Sequence, residues 1–145
     1  MHSDQVMSIL NLFRKKETPM HPQTPKEYMQ QAHEFMQNLP ADAIITIEDI
    51  RKDKKKKYFL LDVRYIEEVA GGKIPDTVPI PLHELDKRID ELPEDRQIVT
   101  VCAHGTRSAA ALLFLKDNGF KDVKMLQGGT IAWIEAGYEL EDYTR

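Results

Sequence analysis

Cysteine is nearly absent from this sequence, because Cys102 is the only one among 145 residues. The chain therefore cannot form an internal disulfide, which suits a reducing compartment, and we expect the protein to be cytoplasmic. Cys102 is therefore the only thiol of this sequence that could have a chemical function. It is either a buried and inert core residue or a group that takes part in chemistry.

The sequence also lacks long apolar runs and an excess of basic residues. No apolar run is long enough to span a bilayer, and we see no charged leader with an apolar core and a cleavage site. The formal net charge is −4, which argues against nucleic acid as the main partner, since such proteins present a basic surface. No His, Cys, Asp and Glu residues have metal-site spacing. We expect no metal and no other cofactor.

What is present is an ordinary globular composition, with 41% hydrophobic and 30% charged residues, which excludes extensive disorder. A chain of this length fits one domain that buries most of its apolar surface. Its first part has a different pattern from the rest. We therefore divide the chain into an N-terminal helical extension, residues 1–40, and one α/β domain, residues 41–145. The sequence leaves the oligomeric state open.

Two features of the extension predict helices. Residues 7–13 form an apolar cluster, for which we favour a helix packed on the domain over a membrane or partner anchor. Thr24, Pro25 and Glu27 then have the spacing of a capping box with proline at the first helical position. We expect that helix to run to about Asn38 and to pack its apolar stripe on the domain.

The domain itself alternates short β-rich runs with helical patterns. We predict strands at 44–47, 58–63, 78–80, 98–101 and 123–126. We predict helical segments at 48–51, 67–70, 82–92, 107–117 and 130–136. Such alternation implies right-handed crossovers and hence a mostly parallel five-stranded sheet with helices on both faces. Ligands of such sheets bind at the carboxyl ends of the strands.

The strand that ends at Cys102 gives the most specific chemical signal. A short loop with Gly105 follows it, and an alanine-rich helix begins near Arg107. The sulfur should therefore lie beside backbone N–H groups that have no intrahelical partner, at the positive end of a helix dipole. We expect these groups to stabilise the thiolate and to lower its pKa below the free value of about 8.5.

Other polar residues near this loop have two interpretations each. We favour a substrate-binding cation for Arg107, with a purely structural cation as the alternative. His104 either tunes the thiolate or is an exposed loop residue, and both interpretations stay open. Asp62 and Arg64 end an earlier strand as possible supporting residues of the site. For them we favour a buried ion pair or loop brace over direct catalysis.

A wider pattern around the loop resembles the rhodanese-like family. The motif Cys102-x-x-Gly105-x-Arg107-Ser108 is similar to the active loop of that family. Further similar segments lie at 61–64, 72–75 with 80–82, and 119–137, so the resemblance covers residues 41–140. It implies a three-layer rhodanese-like fold and the activity of a single-domain thiosulfate sulfurtransferase.

By this resemblance, Cys102 takes a sulfane sulfur from thiosulfate or another persulfide donor and becomes a persulfide. A thiophilic acceptor, either a thiol, cyanide or a protein, then removes the sulfur in a ping-pong cycle. Ala103 stands where many members have a basic or polar residue, which leaves the physiological donor open. The resemblance assigns the substrate-binding cradle to Ala103, His104, Gly105, Thr106 and Arg107.

Two alternative functions use the same scaffold. Related phosphatase and arsenate-reductase loops place one more residue between cysteine and arginine than the four found here. The smaller cradle favours a persulfide sulfur over a tetrahedral oxyanion. A non-catalytic protein-binding module is the other alternative, and the combination of Cys102, Gly105 and Arg107 argues against it.

Overall fold

A computed structural model of the protein describes residues 23–143. The apolar cluster at residues 7–13 lies outside these residues, and its interpretation stays a prediction. The division of the chain at residue 40 also stays a prediction. Within residues 23–143 no helix is long and apolar enough to cross a membrane.

Strands and helices alternate along the described chain, as the pattern predicts. The strands are β1 Ile44–Ile45, β2 Tyr58–Asp62, β3 Val78–Pro79, β4 Gln97–Val101 and β5 Val123–Leu126. The α-helices are α1 Met29–Gln37, α2 Ile47–Arg51, α3 Ile66–Ala70, α4 Thr106–Asp117 and α5 Gly129–Glu135. Short 3₁₀ turns occur at Pro25–Tyr28, Ala41–Ala43, Leu82–Lys87 and Ile89–Glu91.

The five strands form one sheet in the order β1-β5-β4-β2-β3. Every pair of neighbouring strands is parallel. The central strand β4 is buried over almost its whole length, as expected for a parallel strand covered on both faces. Its carboxyl end therefore lies in the middle of the sheet edge and delivers the residue that follows, Cys102.

Side chains of alternate strand residues build a core on each face of the sheet. One face carries Leu61 and Ile98, among others, and packs against α1 and α4. The other carries Leu60 and Val99 and packs against α2 and α5, with Trp133 buried there. These layers confirm the predicted α/β architecture with helices on both faces.

The helix predicted after Thr24 is present and begins with the 3₁₀ turn Pro25–Tyr28. Tyr28 and Ala32 are buried in the same core as α4. The Tyr28 hydroxyl donates a hydrogen bond of 2.7 Å to the Asp117 carboxylate at the end of α4. The segment therefore packs on the domain, as its apolar stripe predicts.

Two predicted elements differ in the structure. The first strand ends at Ile45, because the Thr46 hydroxyl accepts the N–H of Asp49 at 3.1 Å and starts a helix there. The pattern at 82–92 forms two 3₁₀ turns that meet at Arg88. Leu82 and Leu85 are three residues apart, and this spacing places both on one side of a 3₁₀ turn.

Candidate active site

Cys102 follows β4 directly and is 1% exposed. Its sulfur accepts the backbone N–H of Gly105 at 3.1 Å and that of Ser108 at 3.2 Å. The second donor belongs to the first turn of α4, where N–H groups lack intrahelical acceptors. The loop and the helix thus direct two donors at one sulfur, and such donors favour negative charge on the atom that accepts them.

Gly105 gives the loop its shape. Its φ of +146° is a conformation that side chains with a Cβ rarely adopt. A Cβ at this position would lie 2.9 Å from the methyl carbon of Met36 in α1. The carbonyl of Gly105 accepts hydrogen bonds from the Ser108 hydroxyl and the Ala109 N–H, both of 2.8 Å. The loop is therefore held from α4 and covered by α1.

The start of α5 holds the other side of the loop. The Thr130 N–H donates to the Cys102 carbonyl at 2.9 Å, and the Ile131 N–H donates to the Ala103 carbonyl at 3.2 Å. Gly129 has a φ of +62°, and a Cβ on it would lie 2.2 Å from the Cys102 carbonyl oxygen. The backbone of α5 can approach the loop this closely only because Gly129 has no side chain.

Arg107 forms an ion pair with Glu68 of α3. Its Nη1 lies 2.5 Å from Glu68 Oε1, and its Nη2 lies 3.0 Å from Oε2. The guanidinium also lies 5.6 Å from the centroid of the Tyr65 ring. The hydrogen bonds from Arg107 hold the pKa of Glu68 below its ordinary value, and those to Glu68 raise the pKa of Arg107. Arg107 thus has a defined ion-pair partner, Glu68, as a structural cation would.

Asp62 and Arg64 form a second ion pair, which is buried. Arg64 Nε donates to Asp62 Oδ1 at 3.0 Å, and Nη2 donates to Oδ2 at 2.9 Å. The same Nη2 donates to the Gly72 carbonyl at 2.8 Å. The pair thus connects the end of β2 to the chain beyond α3, which is the geometry that a loop brace requires. Buried charges are tolerated when they are paired and hydrogen-bonded in this way.

The sequence model of the family described as "Rhodanese-like domain" matches residues 46–136. This chain belongs to the rhodanese-like family.

Individual relatives agree with the family match. A sulfurtransferase of Allochromatium vinosum is 41% identical over 78 residues, which cover 54% of this chain and 73% of that protein. The thiosulfate sulfurtransferase GlpE of Pseudomonas syringae is 36% identical over 74 residues, which cover 51% of this chain and 70% of that protein. A crystal structure of a rhodanese-related protein from Thermoplasma volcanium has 37% identity and a TM-score of 0.62, and it covers 67% of this chain and 95% of its own. The resemblance and the fold predicted from the sequence are therefore confirmed.

The remaining residues of the rhodanese-like loop differ in burial. Ala103 and Thr106 are half-buried, and His104 is exposed. No side-chain hydrogen bond joins His104 to another residue of the described chain. The structure directs the backbone N–H groups of Gly105 and Ser108 at the Cys102 sulfur, whereas the guanidinium of Arg107 pairs with Glu68. A substrate contact by the side chains of the loop stays a prediction.

Four residues of this site were not assigned a role from the sequence. The backbone N–H of Ser108 donates to the Cys102 sulfur. Glu68 holds Arg107, Gly129 supports the Cys102 carbonyl, and Met36 covers Gly105. The adjacent glycines before α5 were the only local signal of a close backbone approach. Met36 precedes residue 46, where the rhodanese-like match begins, so family motifs could not reveal it. Within residues 23–143, no three His, Cys, Asp or Glu side chains are grouped in a way that could hold a metal ion.

Proposed function

We propose that this rhodanese-like protein is a sulfurtransferase that carries a sulfane sulfur as a persulfide on Cys102. The observation that carries the proposal is the pair of backbone N–H groups, from Gly105 and Ser108, that converge on the Cys102 sulfur. The relatives from Allochromatium vinosum and Pseudomonas syringae, both named as sulfurtransferases, support the same reaction class.

The proposed cycle has two balanced steps. The Cys102 thiolate attacks the outer sulfur of a donor such as thiosulfate, a new S–S bond forms, and sulfite leaves with the electron pair of the broken bond. A thiolate or cyanide then attacks the terminal sulfur of the persulfide, and Cys102 leaves as a thiolate. Donor and acceptor thus use the site in turn, as a ping-pong mechanism requires. Cys102 is the only cysteine of the sequence, so no second thiol of the same chain can accept the sulfur.

The backbone of the loop supplies the proposed cradle for the terminal sulfur. The N–H groups of Thr106 and Arg107, the first two of α4, donate to no carbonyl within the described chain, as expected at a helix N-terminus. These donors remain available to a charged terminal sulfur, whereas the N–H groups of Gly105 and Ser108 already hold the Cys102 sulfur. The proposed cradle therefore needs no side chain beyond the cysteine.

The choice of donor belongs to the same proposal. Thiosulfate is supported by the name of the Pseudomonas syringae relative. The side chain of the half-buried Ala103 offers no charge and no hydrogen bond to the sulfonate end of thiosulfate. A persulfide donor is therefore the second candidate. The chemistry needs a reduced thiol, so we retain the cytoplasm as the expected compartment.

The test is the intact mass of the protein after exposure to a sulfur donor. The reduced protein is incubated with excess thiosulfate, freed of donor and compared with a Cys102→Ser variant treated in the same way. We expect the native protein to gain one sulfur atom that cyanide removes, and the variant to gain none. Absence of a gain with thiosulfate and with a persulfide donor would refute the proposal. A gain in the variant would show that the sulfur is carried elsewhere.

A further inference from the structure

A small cavity lies beside the cysteine loop and is not explained by the carrier chemistry. It has a volume of about 60 Å³. Parts of the chain that are distant in sequence enclose it, and its lining residues are Lys26, Met29, Val63, Tyr65, Leu82, His83 and Arg107. A short carbon chain fits a cavity of this size.

The position of the cavity connects it to the reacting sulfur. Arg107 belongs to the cysteine loop and forms one wall. Val63, another lining residue, donates its N–H to the carbonyl of Val101 at 2.9 Å, and Val101 directly precedes Cys102. A molecule in the cavity is therefore at the same edge of the sheet as the sulfur, next to the loop that would hold a persulfide.

The walls are apolar, and cations surround them. Val63 and Leu82 are buried and joined by a backbone hydrogen bond of 3.1 Å, so this floor is fixed by the core. Tyr65 is 46% exposed, although it is a large aromatic residue. The charge of Arg107 is balanced by Glu68. Lys26 therefore presents the ammonium group that is best placed to meet an anion entering with an aliphatic chain.

Two of the lining residues lie outside the match to the family model. Lys26 and Met29 lie before residue 46, where the rhodanese-like match begins. The 3₁₀ turn and α1 that carry them are fixed to the domain by Tyr28, which is buried and hydrogen-bonded to Asp117. The extension thus supplies one wall of the cavity in a defined position.

We propose that this cavity is the acceptor subsite, and that the acceptor is a short aliphatic thiol with an anionic group. The inference rests on the proposed function. The thiolate of the acceptor attacks the terminal sulfur of the Cys102 persulfide, the S–S bond of the persulfide breaks, and Cys102 leaves as a thiolate. The product is the persulfide of the acceptor. Its carbon chain lies against Met29, and its anionic group lies near Lys26.

Binding of unreactive analogues tests the inference without any sulfur transfer. The probes are 3-(methylthio)propionate and its neutral amide, titrated into the full chain with ¹³C-labelled methionine methyl groups. We expect the Met29 methyl signal to shift, and the carboxylate to bind about twofold to fivefold more tightly than the amide, the range of an exposed ion pair. Lys26→Met should abolish this preference and Lys26→Glu should reverse it. Lys54→Met, in an exposed turn elsewhere, is the matched control and should preserve it.

Kinetics of transfer provide the second measurement. For the native protein, kcat/KM with 3-mercaptopropionate is compared with kcat/KM with cyanide, which needs no subsite for an organic group. We expect this ratio to fall at least fivefold in Met29→Trp, because the larger side chain fills the cavity. An unchanged ratio, or equal binding of the two analogues, would overturn the inference even if Cys102 gains sulfur. A carboxylate preference without any persulfide on Cys102 would instead overturn the proposed function.

Discussion

Replacement of Gly129 by alanine tests whether the backbone of α5 holds the cysteine loop. The added Cβ would lie 2.2 Å from the Cys102 carbonyl oxygen and 2.5 Å from that of Ala103. Neither atom belongs to a flexible side chain, so the loop and the helix must separate. The hydrogen bonds from Thr130 and Ile131 to these carbonyls would then lengthen or break.

The expected loss in the free energy of unfolding has two contributions, one from backbone conformation and one from hydrogen bonds. A non-glycine residue in the left-handed conformation costs about 1–2 kcal/mol. Each of the two lost hydrogen bonds contributes about 1 kcal/mol. We therefore expect Gly129→Ala to lower the free energy of unfolding by about 3–4 kcal/mol, a large share of the roughly 5–15 kcal/mol typical of a domain.

Gly137→Ala is the matched control for this prediction. Gly137 has a φ of +91°, and a Cβ there would meet no atom within 4 Å. It should therefore lose only the conformational term, about 1–2 kcal/mol. Urea unfolding of both variants measures the difference, and sulfur uptake by Cys102 reports on the loop. Equal losses of stability in the two variants, with normal sulfur uptake in Gly129→Ala, would refute the role assigned to α5.

Two further predictions concern the ion pairs. Hydrogen bonds from Arg107 lower the pKa of Glu68 in the folded protein. The Glu68 carboxylate therefore contributes its full stabilisation above its ordinary pKa of 4.5. This stabilisation is lost as pH falls through the lower pKa of the folded state. We expect Glu68→Gln to be less stable than the native protein at pH 7, and this difference in stability to shrink by pH 3. Urea unfolding at both pH values measures it. A stability difference that is the same at both pH values would contradict the role of the Glu68 carboxylate. Asp62→Ala leaves the buried charge of Arg64 unpaired and should cost about 3–5 kcal/mol in thermal or urea unfolding. The double variant with Arg64→Met should recover part of that loss, and a double variant no more stable than Asp62→Ala would show that charge burial is not the cause.

Local patterns in the sequence were sufficient to predict the sheet and the cysteine loop. Alternating apolar runs and helical segments predict parallel strands, because a right-handed helical crossover returns the chain to the same edge of the sheet. The turn from Cys102 through Gly105 into α4 is equally local. Its donors come from residues within six positions of the cysteine. Short-range signals of this kind do not depend on how distant elements pack.

The 3₁₀ turns at Leu82–Lys87 and Ile89–Glu91 show the limit of such patterns. Apolar residues three or four positions apart fit an α-helix and a short 3₁₀ turn almost equally well. In the structure, Leu82 and Leu85 pack in the core from a 3₁₀ turn. The sequence pattern therefore predicts a helical segment over residues 82–92, and it does not distinguish an α-helix from a 3₁₀ turn.

The sequence by itself determined the position of Cys102 at a strand-to-helix turn, the form of its loop and the class of fold. Only the tertiary structure decided what surrounds that loop: Glu68 beside Arg107, Gly129 against the Cys102 carbonyl, and Met36 over Gly105. These partners lie between 27 and 69 positions away from the residues they touch. The packing of α1, α3 and α5 on the sheet brings them together. No local spacing encodes such contacts, because they depend on how whole elements pack and not on the conformation of any one segment.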